Sequence, residues 1–178
     1  MKKILLITTF LMSSVAVFAQ QKNTSESYID KFKENAIAIM HETGIPASII
    51  LGIAMHESGN GNSAVAQNLN NQFGVVGAGH VTYIKHKKKV RSQYKKYDSI
   101  LESFQDFARI MTERKQFSHL TDEFTHYDYI GWAKGIQRSG YAGSKKWAAQ
   151  VLGIINKYNL NSLDETPADQ PQLANKPQ

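Results

Sequence analysis

At 178 residues and without a cysteine, the chain cannot be a small disulfide scaffold and must hold its fold by burial alone. Its 21 Lys and Arg against 15 Asp and Glu leave a formal charge of +6, which suits nucleic acid, an anionic membrane or an anionic cell-wall polymer. His41, His56, His80, His86, His119 and His126 lack zinc-ligand spacing, and no serine sits in a G-x-S-x-G context, so zinc hydrolysis and elbow-type serine catalysis are set aside.

Lys2 and Lys3 precede an apolar run from Ile4 to Phe18, and Val17 and Ala19 supply small residues at −3 and −1. Residues 1–19 therefore read as an export signal cleaved after Ala19. The run is short for a membrane span, and nothing later is apolar enough to be one. The released chain is expected in the periplasm or outside the cell, as a monomer without stable membrane insertion. Export makes nucleic acid the least suitable partner.

Residues 20–26 read as a linker. Ser27 with Asp30 resembles a capping box, and Ile29, Phe32, Ala36, Ile39 and Met40 follow at helical spacing as far as Gly44. Pro46 suits the first turn of a second helix ending near Ser58. A short helical piece is expected from Ala64 to Asn68. Between Gln72 and Tyr97 the pattern changes: Gly74, Gly77 and Gly79 punctuate it. Val81–Ile84 and Val90–Tyr94 are strand-like around a cationic run, residues 85–91, so a small β-hairpin is expected.

Ser99 with Glu102 forms a second capping box ahead of Phe104, Phe107, Ala108 and Met111. Tyr129, Trp132, Ala133 and Ile136 predict a further helix ending near Gly140. Ser144 then opens a last one with Trp147, Ala148, Val151, Leu152 and Ile155 inward. Residues 163–178, rich in Pro, Gln, Asn, Ala and Asp, read as a disordered tail. Residues 27–162 are thus expected to form one α+β domain, mostly α.

One residue breaks the apolar pattern of the second helix. Ile50, Ile53, Ala54 and Glu57 fall at i, i+3, i+4 and i+7, so an acid shares the face of three core residues just before Gly59 and Gly61. A carboxyl partly removed from water keeps its proton closer to neutrality, as a general acid for glycosidic cleavage must.

Further motifs stand in order behind it. Ala54-Met55-His56-Glu57-Ser58-Gly59 is followed by Asn70-Asn71-Gln72-Phe73-Gly74 and by Tyr94-Lys95-Lys96-Tyr97-Asp98-Ser99. Then come Ser103-Phe104-Gln105-Asp106, Gly131-Trp132-Ala133-Lys134-Gly135, Gly140-Tyr141-Ala142 and Ile154-Ile155-Asn156-Lys157-Tyr158. Over roughly residues 27–160 this set resembles family 73 of the glycoside hydrolases, exported endo-β-N-acetylglucosaminidases that cut peptidoglycan. The resemblance implies a lysozyme-like helical domain with a small β-hairpin lobe flanking a glycan groove. It also implies cleavage of the β-1,4 bond between N-acetylglucosamine and N-acetylmuramic acid, without a cofactor or metal. Glu57 maps to the catalytic acid and Tyr141 to a tyrosine that positions substrate or stabilises charge. Asn71, Phe73, Gly74 and Tyr97 map to substrate-binding positions.

The chain departs from that family in one respect. Many members carry a second acid in the β lobe, whereas residues 73–97 contain neither Asp nor Glu. Three routes stay open. The 2-acetamido group of the substrate acts as nucleophile, one of the exceptions to the two-carboxylate rule. Alternatively, Asp98, Asp122 or Glu123 folds into the site, or the groove binds glycan with little or no turnover. A lytic transglycosylase or muramidase on the same fold also needs only one carboxylate.

Overall fold

The computed structural model describes residues 22–165; the expected export signal and residues 166–178 lie outside the described residues. The elements run α1 (Ser25–Thr43), α2 (Ala47–Ser58), α3 (Ala64–Leu69), β1 (Val76–Lys85), β2 (Lys88–Tyr94), α4 (Ile100–Glu113), α5 (Leu120–Glu123), α6 (Tyr129–Arg138) and α7 (Trp147–Lys157). A 3₁₀ turn, Leu160–Asp164, closes the fold.

Helix α1 starts one turn earlier than the Ser27–Asp30 pair suggests. Thr24 is the N-cap: its hydroxyl accepts from Ser27 N at 3.1 Å, and Ser27 Oγ accepts from Thr24 N at 2.9 Å. Asp30 instead faces solvent and pairs with Lys33 at 3.1 Å. Asn23 is tied back too, donating to Asn62 Oδ1 and Asn60 O. The domain therefore includes part of the segment read as linker. Tyr28, Phe32, Ala36, Ile39 and Met40 are the buried face, and Gly44 ends the helix at φ +75°.

Helix α2 is the axis of the molecule. Every residue from Ala47 to Met55 is buried, so this is a central helix without a solvent face rather than an amphipathic one. The single apolar face proposed for Ile50, Ile53 and Ala54 is thus one side of a helix buried all round. Helices α1 and α7 and the 3₁₀ turn pack around it. At Gly52 a Cβ would lie 2.9 Å from Ile155 Cγ1, so α7 reaches the α2 backbone only because no side chain intervenes. Burying Ile50, Leu51 and Ile53 contributes about 1.5–3 kcal/mol each.

Pro46 is the N-cap of α2 and supplies no capping side chain. Asp164 fills that role: it accepts from Ser48 N at 2.8 Å and from Ser48 Oγ at 2.6 Å, and is itself buried. The ordered domain therefore continues past residue 162, because the carboxylate satisfies helix donors that would otherwise be orphaned.

The hairpin forms as expected but is longer, with β1 and β2 antiparallel and Lys85 opposite Lys88. Between Val76 and Val81 the register shifts, and β1 bulges at Gly77–His80. Helix α4 opens with Ser99 Oγ accepting from Glu102 N, while Glu102 Oε2 reaches Asp98 N rather than Ser99 N. Its Phe104, Phe107 and Met111 are fully buried. Helix α5, without a signal in the sequence reading, is a single turn holding Leu120 in the core. Helix α7 begins three residues after Ser144, which closes the preceding turn by accepting from Lys146 N and Trp147 N. Among the described residues no helix is long and apolar enough to cross a membrane.

Candidate active site

Glu57 sits in the last turn of α2. Gly59 ends that helix at φ +58°, its N–H donating to Met55 O. Ser58 locks the exit: its hydroxyl donates to Ala54 O at 2.6 Å and accepts from Gly61 N at 2.7 Å. The carboxyl is half-buried, and its Oε1 accepts the indole N–H of Trp147 at 2.8 Å. Trp147 is the first residue of α7 and is buried, so two packed helices orient one acid.

The other oxygen, Oε2, faces Gly74. A Cβ at that glycine, which has φ +66°, would lie 3.9 Å from it. Glu57 and Gly74 line a cavity of about 290 Å³ together with Phe73, Tyr141, Arg114 and Gln116. The fold thus brings together four of the six residues expected at the site: Glu57, Phe73, Gly74 and Tyr141.

Phe73 is buried and stacks on Phe107 with ring centroids 4.3 Å apart, joining the turn before β1 to α4. Tyr141, in the α6–α7 loop, donates its hydroxyl to Phe73 O at 3.0 Å and rests its ring against Trp147 at 5.2 Å. Burial, and then the charges of Glu57 and Tyr97, push the Tyr141 hydroxyl well above the ordinary phenol range, so it remains a donor.

Asn71 and Tyr97 stand behind the cavity wall, and neither lines it. The Asn71 side chain is buried: its Nδ2 donates to Val75 O at 2.9 Å and Lys95 O at 2.8 Å, and its Oδ1 accepts from Val75 N at 3.1 Å. Its polar capacity goes to holding the two feet of the hairpin rather than to a ligand. Tyr97 is buried as well and donates to Asp106 Oδ2 at 2.7 Å; burial and that carboxylate raise its pKa far above the phenol range. Asp106 also takes Lys95 Nζ at 3.0 Å and Arg109 Nε at 3.0 Å. Burial opposes the Asp106 charge, but the bonds from Tyr97, Arg109 and Lys95 prevail and hold its carboxyl below the usual range.

No second carboxylate joins Glu57 among the residues lining the cavity. Asp98 and Asp122 are exposed away from it, and Glu123 pairs with Arg138 at 3.2 Å. The sequence reading missed two contributors. Trp147 is not only core, and its buried indole N–H, which must find an acceptor, was the available signal. Arg114 follows α4 as an exposed residue and is the one cation on the cavity wall. Nothing in its neighbourhood along the chain marks it. Among the described residues no group of three His, Asp or Glu is placed to hold a metal ion.

The fold recurs in solved structures. The catalytic domain of the autolysin Auto from Listeria monocytogenes superposes with a TM-score of 0.65 at 21% identity, covering 83% of this chain and 92% of that one. The glycoside hydrolase domain of FlgJ from Salmonella typhimurium gives 0.62 at 22% identity, covering 79% and 91%. Among curated relatives, the exo-glucosaminidase LytG of Bacillus subtilis is 28% identical over 89% of this chain, which spans 61% of LytG. The peptidoglycan hydrolase FlgJ of Vibrio cholerae is 24% identical over 89% of this chain, which spans 51% of that relative. The glucosaminidase family, described as mannosyl-glycoprotein endo-beta-N-acetylglucosaminidase, matches residues 33–160, most of the ordered domain. With its helical lobe, its hairpin lobe and Glu57 on the cavity between them, the chain belongs to this glucosaminidase family, family 73 of the glycoside hydrolases.

Proposed function

We propose that the chain is an exported peptidoglycan hydrolase that cleaves the β-1,4 bond between N-acetylglucosamine and N-acetylmuramic acid, with Glu57 as general acid. The observation that carries this reading is the paired state of Glu57. One oxygen is held by Trp147 at 2.8 Å, and the other faces a cavity with no competing acid on its wall. Family membership and the peptidoglycan-directed relatives support the substrate class.

With one carboxylate on the cavity, the chemistry draws its nucleophile from the substrate. Protonated Glu57 Oε2 gives its proton to the glycosidic oxygen as the C1–O bond breaks. The carbonyl oxygen of the 2-acetamido group closes on C1, giving an oxazolinium ion and a free sugar hydroxyl. Water then adds at C1, its proton passes to the Glu57 carboxylate, and the ring opens to a reducing N-acetylglucosamine. Tyr141 orients the acetamido group: its hydroxyl is engaged with Phe73 O, and its oxygen accepts the acetamido N–H. Phe73 and Gly74 shape the wall opposite the acid. The substrate lies outside the cytoplasm, in agreement with residues 1–19 acting as an export signal.

Mass spectrometry of peptidoglycan digested by the chain, beside Glu57→Gln, tests the reading. We expect fragments ending in reducing N-acetylglucosamine, with turnover about 10²- to 10⁴-fold lower in the variant because an amide cannot donate the proton. Anhydro-muramic ends would make it a lytic transglycosylase, and sacculus binding without fragments would make it a glycan-binding protein. Internal scission against stepwise release of terminal sugars separates an endo- from an exo-acting enzyme.

A further inference from the structure

The far end of the hairpin does nothing for the cavity. Its base, Gly74–Val76, lines the cavity beside Glu57, whereas Lys85, His86, Lys87, Lys88, Lys89 and Arg91 are all exposed around the turn. The rungs from Val81 to Lys85 carry that turn about 13 Å beyond the bulge.

The tip is built against local preference. Lys85 lies directly opposite Lys88, a like-charge pair that destabilises a ladder. The two-residue turn puts His86 at φ +50° and Lys87 at φ +62°, where Asn-Gly is the favoured pair. No cation of residues 85–91 forms an ion pair with any described residue, and residues 73–97 contain no acid to offset them. Among the described residues no ion pair offsets these costs, and such breaches of local preference are expected at functional sites.

The register sorts the charges. Lys85 and Lys88 share the face of Tyr83 and Val90, while Lys89 and Arg91 point to the opposite face with Ile84 and Thr82. Cations therefore surround the tip. A flat lipid surface would meet only one face of such an arm, whereas a mesh of anionic chains meets both. Beside the tip, a cleft of about 480 Å³ opens against α3, with Lys85 and His86 on one wall and Gln67 and Asn68 on the other. The Asn68 amide donates to Ala64 O at 2.8 Å, so Gln67 is the amide that faces the Lys85 cation, and such a pair suits a short peptide ending in a carboxylate better than a bare phosphodiester chain.

We infer that the hairpin tip is a docking arm for the carboxylate-bearing peptide stems of the peptidoglycan mesh, engaged by Lys85, Lys88 and Lys89 while the glycan lies in the Glu57 cavity. This rests on the peptidoglycan reading above and adds the polymer's peptides as a second recognised element.

The test is co-sedimentation of the full chain, in a Glu57→Gln background so that the polymer stays intact. The targets are purified sacculi, sacculi with amidated carboxyls, and anionic phospholipid vesicles. Replacing Lys85, Lys88 and Lys89 together by Gln is expected to lower affinity for native sacculi about tenfold, three exposed charge contacts being removed. The corresponding triple Arg variant should keep that affinity. Amidated sacculi should bind the unsubstituted tip as weakly as native sacculi bind the Gln variant. With Glu57 restored, turnover of a short peptide-free glycan should be the same with either tip. Equal binding to native and amidated sacculi, unchanged affinity of a Gln variant with native circular dichroism, or a preference for the vesicles would each overturn the proposal. Lysine-dependent binding to native sacculi by a chain that cleaves no glycan would leave the arm standing and remove the hydrolase reading.

Discussion

The two walls of the cavity are held in different ways. Glu57 extends from α2, a helix buried on every side, and its carboxyl is fixed by an indole from a second core helix. The facing wall, Phe73 to Val76, is the foot of a two-stranded hairpin that is too small to stand alone. It is held by the Asn71 amide, by the Tyr141 hydroxyl and by the Lys95–Asp106–Tyr97 cluster. Packing thus sets the acid, and directed hydrogen bonds set the surface it faces. The difference teaches where precision is needed. The proposed proton donation would tolerate little displacement, and Glu57 extends from the most deeply buried element.

Substitutions on each side sharpen that contrast. Ile53→Ala removes a fully buried side chain from α2 and should cost about 2–5 kcal/mol in denaturant unfolding, a loss felt by the whole domain. Asn71→Ala leaves Lys95 O without its donor and Val75 N without its acceptor, while Val75 O keeps the Lys95 N–H, and should cost about 2 kcal/mol. That loss should show first as faster amide exchange in β1 and β2, while α2 keeps its protection; equal deprotection of both walls would erase the distinction drawn here.

Trp147→Phe keeps one aromatic ring but removes the N–H that holds Glu57 and part of a buried side chain. The lost hydrogen bond alone is worth about 1 kcal/mol of stability, and turnover should fall about tenfold with KM unchanged if orientation of the acid is what is lost. A variant as active as the parent would show that the indole merely packs.

The smallest effect is a slope. Burial pushes the Asp164 carboxyl up to about 6, against the bonds from Ser48 that lower it. Because the folded value lies above the ordinary 3.8, the group's contribution is full below about pH 4 and is lost as pH rises through about 6. Asp164→Asn should flatten the fall in melting temperature across that window relative to the parent. An unchanged pH profile would refute the assignment.

Much of this protein was legible locally. Gly44 and Gly59 stop their helices where expected, because a left-handed cap requires a residue without Cβ strain. The hairpin and the inward faces of α4 and α6 follow from spacing alone. Glu57 stands out because an acid in an otherwise apolar helix has no packing reason to be there. The boundaries were less legible: Thr24 rather than Ser27 caps α1, since competing hydroxyls in one stretch offer equally good local caps, and α7 waits until Trp147 because Ser144 closes a turn ahead of the helix.

By itself, then, the sequence determined the elements other than α5, and the candidate acid, because periodicity and capping act over a few neighbouring residues. Only the tertiary structure decided that Asn71 and Tyr97 brace the hairpin from behind the cavity wall, that Trp147 orients Glu57 across 90 residues, and that Asp164 caps α2 from 116 residues away. Those are pairings between side chains whose separation along the chain carries no signal. A buried donor takes whichever acceptor the packing of helices brings within about 3 Å.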